Sequence, residues 1–323
     1  MFDKMRRSVL AGMAGAVLAV AMTMTPAAAQ EKKLTVVATT GMIADAVRQV
    51  GGDRVDVKAL MGPGVDPHVY RQTRSDIAAM ANADAVFWHG LYLEAQLEEF
   101  FHDLAKRKNV VALAESLPKD QLLPNEDYEN RYDPHVWMNP RLWKGVVAAA
   151  RDELIKLDPD GKAAFEANAD RHLAEIDALA DYSDKAFATV PEASRVLVTA
   201  HDAFNYFGKA YGYEVMGIQG ISTESEAGLK QIEDLVNVLV DRKIGAIFVE
   251  SSVSDRNIKA LIEGAGAKGH KVVIGGELFS DAMGAPGTYE GTYIGMIDHN
   301  ATVITRALDG EAPEKGLNSK LGS

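Results

Sequence analysis

Two short stretches of the chain repeat one order of residues whose side chains can ligate a metal ion. Asp66-Pro67-His68-Val69-Tyr70 and Asp133-Pro134-His135-Val136-Trp137 share acid, proline, histidine, valine and aromatic in the same order, with the histidines 67 residues apart. Proline fixes its own φ and biases the residue before it towards extended backbone, so each imidazole leaves a stiff loop in a restricted direction. A single Asp-Pro-His reads as readily as a turn carrying a solvated imidazole, because Asp and Pro initiate turns; a second copy weakens that reading. Two further residues of ligand type stand at comparable places in the second half: His201, after the apolar run 196–200, and Asp281, in the loop after the run 271–275. Imidazole nitrogens and a carboxylate oxygen suit a borderline divalent ion, and there is no cysteine to supply sulfur. Spread over four loops, the set matches no local signature, and on spacing alone coincidence remains an alternative.

The elements that must position these residues follow from hydrophobic period. Residues 34–39, 55–60, 85–88 and 110–112 read as strands, and 41–50, 74–81 and 93–106 as helices between them. After a helix following Pro140, the segment 158–189 repeats Phe165, Ala169, Leu173, Ile176, Ala180 and Phe187 at helical steps. It predicts a helical strut of about 45 Å. Beyond Pro191 the alternation resumes, with strands at 196–200, 215–218, 246–249 and 271–275 and helices at 203–211, 229–241, 257–265 and 292–308. Such alternation predicts an α/β chain of two Rossmann-like lobes, each a mostly parallel sheet flanked by helices, at 30–157 and 191–323, joined by one long helix at 158–190. His68 and His201 would then stand at carboxyl ends of strands, where open α/β sheets bind ligands. Asp202 is the expected N-cap of the helix after His201. The proline-broken, acidic stretch 115–133 reads as a solvated surface connector, and residues from Gly310 onward as disordered.

The first residues read as an export signal rather than as fold: Lys4, Arg6 and Arg7, an apolar run over 9–24, and Ala27-Ala28-Ala29 before Gln30. Cleavage would remove 29 of 323 residues, three basic and one acidic, moving a formal charge of −12 to −14. That acidity argues against nucleic acid or an anionic membrane surface as partner. Without cysteine there is no disulfide framework and no residue for a lipid anchor, so a soluble periplasmic protein is expected.

The residues that carry this pattern also carry a resemblance. Met61-Gly62-Pro63-Gly64-Val65-Asp66-Pro67-His68, Asp133-Pro134-His135-Val136-Trp137, Val198-Thr199-Ala200-His201-Asp202-Ala203-Phe204, Gly220-Ile221-Ser222-Thr223-Glu224 and Ser280-Asp281-Ala282-Met283-Gly284 resemble the metal-receptor family of ABC-transporter solute-binding proteins, which includes manganese, zinc and iron receptors and adhesin relatives. The resemblance covers nearly the whole chain after residue 30. It implies two α/β lobes about a rigid helix and a metal in the cleft between them, held by His68, His135, His201 and Asp281. It also implies one Mn2+ or Zn2+ per chain, a membrane permease with a cytoplasmic ATPase as partner, and a monomeric binding protein that is not an enzyme. No histidine lies between His102 and His135, where zinc receptors of the family often carry a His-rich loop, so the resemblance favours manganese over zinc.

Each ligating imidazole needs an acceptor for its other nitrogen, and Asp66, Asp133 and Glu250 are the candidates, or else backbone caps. His89, His102, His172, His270 and His299 read as surface or helix-end imidazoles. The rival from another class is a secreted zinc hydrolase with Glu250 as general base; it lacks a His-Glu-x-x-His helix. A metal-binding adhesin is the third reading.

Overall fold

The computed structural model describes residues 33–125 and 128–322; the stretch read as an export signal lies outside them. The first half is one parallel sheet of four strands, ordered β2-β1-β3-β4, from β1 Leu34–Ala38, β2 Val55–Ala59, β3 Ala85–Trp88 and β4 Asn109–Ala112. β3 is buried along its whole length, as a central strand covered on both faces must be. Its helices start on side-chain caps: Thr40 for α1 Gly41–Gly51, and a reciprocal Thr73–Asp76 capping box for α2 Arg74–Asn82. α3 Glu98–Ala105 begins later than periodicity suggests, because Leu91 and Tyr92 turn the chain through left-handed backbone first. α4 Pro140–Leu157 has proline at its first position and Asn139 as cap.

α5 Lys162–Ala188 is the expected strut, 27 residues and so about 40 Å long. Past it come β5 Val196–His201, α6 Asn205–Tyr211, β6 Glu214–Gln219, α7 Leu229–Asp241, β7 Ala246–Glu250, α8 Arg256–Ala267, β8 Val273–Leu278 and α9 Tyr293–Ala307. All pairings are parallel, but β5-β6 and β7-β8 form separate ladders. β5 runs beside β7, and at their carboxyl ends the His201 amide donates to the Glu250 carboxylate (2.8 Å) instead of to a backbone carbonyl. β8 runs further than 271–275 because Gly275 and Gly276 let α9 lie close: a Cβ at Gly276 would sit 2.4 Å from Val303 Cγ1.

The largest buried cluster draws on both halves of the chain and on α5: Phe87, Trp143, Ile176, Phe204, Phe248 and Tyr293 all belong to it. Buried hydrogen bonds cross with it, among them three around Trp137 and Tyr293. Tyr293 N donates to Asp45 on α1 (2.9 Å), Tyr293 OH to the Trp137 carbonyl (2.8 Å), and Trp137 Nε1 to the Ser280 carbonyl (2.8 Å).

Three expectations change. Residues 310–322 are ordered against the body: Glu311 N donates to Thr189 Oγ1 (2.7 Å), Leu317 N to the buried Asp298 carboxylate (2.9 and 3.0 Å), and Leu321 is buried. The 115–133 connector keeps Glu115, Asp120 and Glu129 outside but buries Leu117, Leu122 and, at its end, Asp133, and Leu123 N donates to Tyr206 OH (3.0 Å). Asp202 does not cap α6, whose N-terminus has no side-chain cap; it accepts from Asn205 Nδ2 instead (2.8 Å).

Because the strut packs into a core shared by both halves, Ile176→Ala, which empties a fully buried site in mid-α5, should lower the unfolding free energy by about 2–5 kcal/mol and keep one transition. Urea unfolding of the metal-free protein by fluorescence and circular dichroism checks this; two separated transitions would contradict a shared core.

Candidate metal centre

All four singled-out residues meet. The ligand-type atoms of His68, His135, His201 and Asp281 lie within 4.8 Å of one another, and all four residues are buried. They arrive from four directions. His68 sits in the loop after β2, His135 starts the turn Val136–Met138 before α4, His201 is the last residue of β5, and Asp281 follows β8. Asp281 Oδ2 stands 3.1 Å from His201 Nε2 and 3.8 Å from His68 Nε2, and Oδ1 stands 3.4 Å from His135 Nε2. The Nε2 atoms of His68 and His135 are 3.3 Å apart. The three Nε2 atoms thus face one carboxylate.

The opposite edges of two rings are held by acids. His135 Nδ1 lies 2.8 Å from Asp133 Oδ1, and His201 Nδ1 lies 2.5 Å from Glu250 Oε2. A carboxylate there keeps a proton on Nδ1 and orients Nε2 inward, the arrangement metal-binding histidines use. Asp66 takes the capping alternative: its Oδ1 accepts from the His68 backbone amide (2.9 Å), not from the ring. Glu250 is also spent, since its other oxygen takes the His201 amide, so it stands behind a ligand and is not poised over the site as a base.

Burial and charge set unusual proton affinities. Burial pulls His68 down to about 3, against the attraction of Asp281, so His68 is neutral. For His135 burial acts the same way, but Asp133 and Asp281 outweigh it and push the ring up to about 9. Burial is likewise outweighed at His201, where Glu250 and Asp281 raise the ring well above its usual value. Asp281 would be raised by burial, yet His201 and His135 hold it well below the carboxylate range. Without a cation, the site is therefore an ionised carboxylate flanked by two protonated imidazoles. Among the described residues, His201 Nε2 and both Asp281 oxygens are buried without a hydrogen-bond partner of good geometry. Nitrogen and oxygen atoms left unsatisfied and converging in this way fit a divalent metal.

Two supporting residues escape the sequence reading. His89 is fully buried, not a surface imidazole: Nε2 donates to the Pro134 carbonyl (2.7 Å), and the ring stacks on Trp143 and meets Trp137 edge-on. Burial lowers it to about 3, and its contact with Pro134 braces the second Asp-Pro-His loop. Glu94, also fully buried, accepts from Thr39 Oγ1 (2.6 Å) and from the amides of His89 (2.8 Å) and Gly90 (3.1 Å), pinning that turn. His89 follows a buried strand as directly as His201 ends one, and that was the available signal. His172 is buried too, but pairs with Glu175 on α5. His270 and His299 are bound to backbone carbonyls, and His102 is exposed beside Glu98.

Comparison with known proteins places the chain among metal-binding proteins of one family. The family model described as "Zinc-uptake complex component A periplasmic" matches residues 36–307. The manganese-binding lipoprotein MntA of Bacillus subtilis (strain 168) is 46% identical over 278 residues, covering 86% of this chain and 90% of MntA. The zinc-binding protein TroA of Treponema pallidum (strain Nichols) is 46% identical over 281 residues, covering 87% and 91%. The solved structure of periplasmic zinc-binding TroA superposes with a TM-score of 0.83 over 85% of this chain and 99% of that one.

A metal entering this site must expel protons from His135 and His201. Affinity for a divalent metal should therefore keep rising from pH 7 towards pH 9, by up to about tenfold per unit for each proton displaced, and fall steadily below that range. That places the dependence higher than the window near 6.5 expected of free histidine. Competition against a chelator of known proton affinity from pH 6 to 9 checks it; a plateau above pH 7 would contradict the charged apo site. Asp133→Asn, which weakens the hold on His135 Nδ1, should cost about 10–100-fold in affinity at pH 7 by the same assay.

Proposed function

We propose, because the chain belongs to the family of periplasmic zinc-uptake complex component A proteins, that it is the binding component of a metal ABC transporter. It takes a divalent transition metal into the site of His68, His135, His201 and Asp281 and delivers it to a membrane permease driven by a cytoplasmic ATPase. One observation carries the reading. Four nitrogen- and oxygen-donor side chains from four separate segments of the chain converge in a buried, sulfur-free cluster, and two of the imidazoles are oriented by carboxylates behind them.

The cargo is manganese or zinc. The names of MntA and TroA carry one metal each. Three imidazoles and a carboxylate serve either ion, and Asp281 binding through both oxygens would raise the coordination number from four to five. With no histidine between His102 and His135, manganese is the preferred cargo; zinc competes through its higher intrinsic affinity for any such donor set.

Binding and release are the whole task. Glu250, the acid a hydrolase would need free, is committed to His201, and four protein ligands leave no obvious position for an activated water. The site is complete within one chain, so a monomer suffices. We read residues 30–157 and 191–323 as lobes about the strut 158–190, and the charged and apolar pattern of residues 1–29 as an export signal that brings the protein to the periplasm.

Chelator-stripped protein titrated with Mn2+ and Zn2+ should take up one ion per chain, and His201→Ala should weaken uptake by about 100-fold or more. No stoichiometric metal in the parent protein would overturn the assignment.

A further inference from the structure

The aspartates of the two Asp-Pro-His repeats perform one manoeuvre twice. Asp66 Oδ1 accepts from the His68 amide (2.9 Å), and its Oδ2 accepts from Thr223 Oγ1 in the loop after β6 (2.5 Å). Asp133 Oδ1 accepts from the amide (2.9 Å) and Nδ1 of His135, and its Oδ2 accepts from Asn205 Nδ2 on α6 (3.2 Å). In each repeat one oxygen fixes the chain around the histidine two residues on, and the other reaches a donor from the half of the chain that supplies His201 and Asp281. Neither aspartate presents an oxygen to the metal cluster itself, so ligation does not explain the second contact.

The two contacts differ in how they are backed. Asn205 opens a helix whose next residue, Tyr206, is buried and donates from its hydroxyl to the Asp133 carbonyl (2.9 Å) while accepting from Leu123 N. Asn205 also bridges Asp133 to Asp202 beside His201. That contact is built into packed structure. Thr223 sits in a surface loop, and the neighbouring Glu224, exposed, takes hydrogen bonds from Gln96 Nε2 and from Tyr128 OH (3.1 Å). The Asp66–Thr223 contact is itself half-buried, as is Asp133–Asn205, but the contacts that back it through Glu224 are exposed, and exposed polar contacts exchange readily with water.

We propose that the repeats are a pair of clasps across the ligand cleft, a fixed one at Asp133–Asn205 and a releasable one at Asp66–Thr223, and that opening of the Thr223 clasp frees the His68 loop to admit and release metal. Thr223 is then a positioning residue for His68, acting through Asp66. The role in metal release rests on the receptor reading above; the difference between the two clasps does not.

The test compares the parent chain with Thr223→Val, which keeps the shape but loses the donor, and Thr223→Ser, which restores it. Release of Zn2+ into excess chelator, followed by stopped flow, should be about tenfold faster for Thr223→Val, as expected for loss of a hydrogen bond to a carboxylate, and within about threefold of the parent for Thr223→Ser. In the metal-free proteins, hydrogen exchange over residues 64–70 should quicken in Thr223→Val alone, and exchange over 133–138 should not change. Release and exchange in Thr223→Val both within about twofold of the parent, or Thr223→Ser matching Thr223→Val, would overturn the clasp. If the parent bound no Zn2+, the receptor reading would fall, and the exchange measurement on metal-free protein would decide the clasp by itself.

Discussion

The structure is organised by the cost of keeping one ionised carboxylate, Asp281, in a buried pocket with three imidazoles. A charge removed from water needs partners, and here they are His135 and His201 in protonated form, backed in turn by Asp133 and Glu250. His68, with no carboxylate against its ring among the described hydrogen bonds, stays neutral. The exchange this permits is electrically balanced: a divalent cation enters as two imidazole protons leave, so the net charge of the pocket is the same before and after. A protein that must persist both empty and loaded gains from that balance, since loading leaves the net buried charge unchanged.

Such a site tolerates little slack, and the fold supplies its stiffness by merging the halves. α5 runs along a core that takes Phe87 from the first sheet and Phe248 from β7, and Tyr293 ties α9 to both α1 and the Trp137 turn. The Trp137 indole then reaches the Ser280 carbonyl, one residue before Asp281. The second and fourth ligand loops are consequently coupled through a buried aromatic. Wide hinge opening would have to break this packing.

What the sequence revealed and what it hid divide along one physical line. Strand and helix period located β1, β2, β3, β5 and α5, and with them the strand ends where His68 and His201 stand, because burial imposes that period. Features set by contacts between remote segments left no local trace. His89 looked like any histidine beside a glycine, yet it lies between two tryptophans and holds the Pro134 carbonyl. The end of the chain looked disordered by composition, yet the Asp298 carboxylate captures its backbone at Leu317. The two aspartates of the repeats could not be ranked either: only the fold shows that one supports a ring nitrogen and the other a backbone amide.

The repeat itself makes sense as a unit of backbone chemistry. An aspartate followed by proline has no competing amide at the next position, so its carboxylate folds onto the amide two residues on, in the manner of an Asx turn. That turn spends one oxygen and leaves the other facing away from the imidazole it has just oriented. At Asp133 the same oxygen that caps the amide also reaches Nδ1, because the His135 ring is turned back against it; at Asp66 it does not. In both cases the free oxygen finds a donor from the other half of the chain, an amide at Asn205 and a hydroxyl at Thr223. A five-residue motif thus does two jobs that a histidine on a helix face could not: it aims a ligand, and it ties that ligand's loop to the other half of the chain.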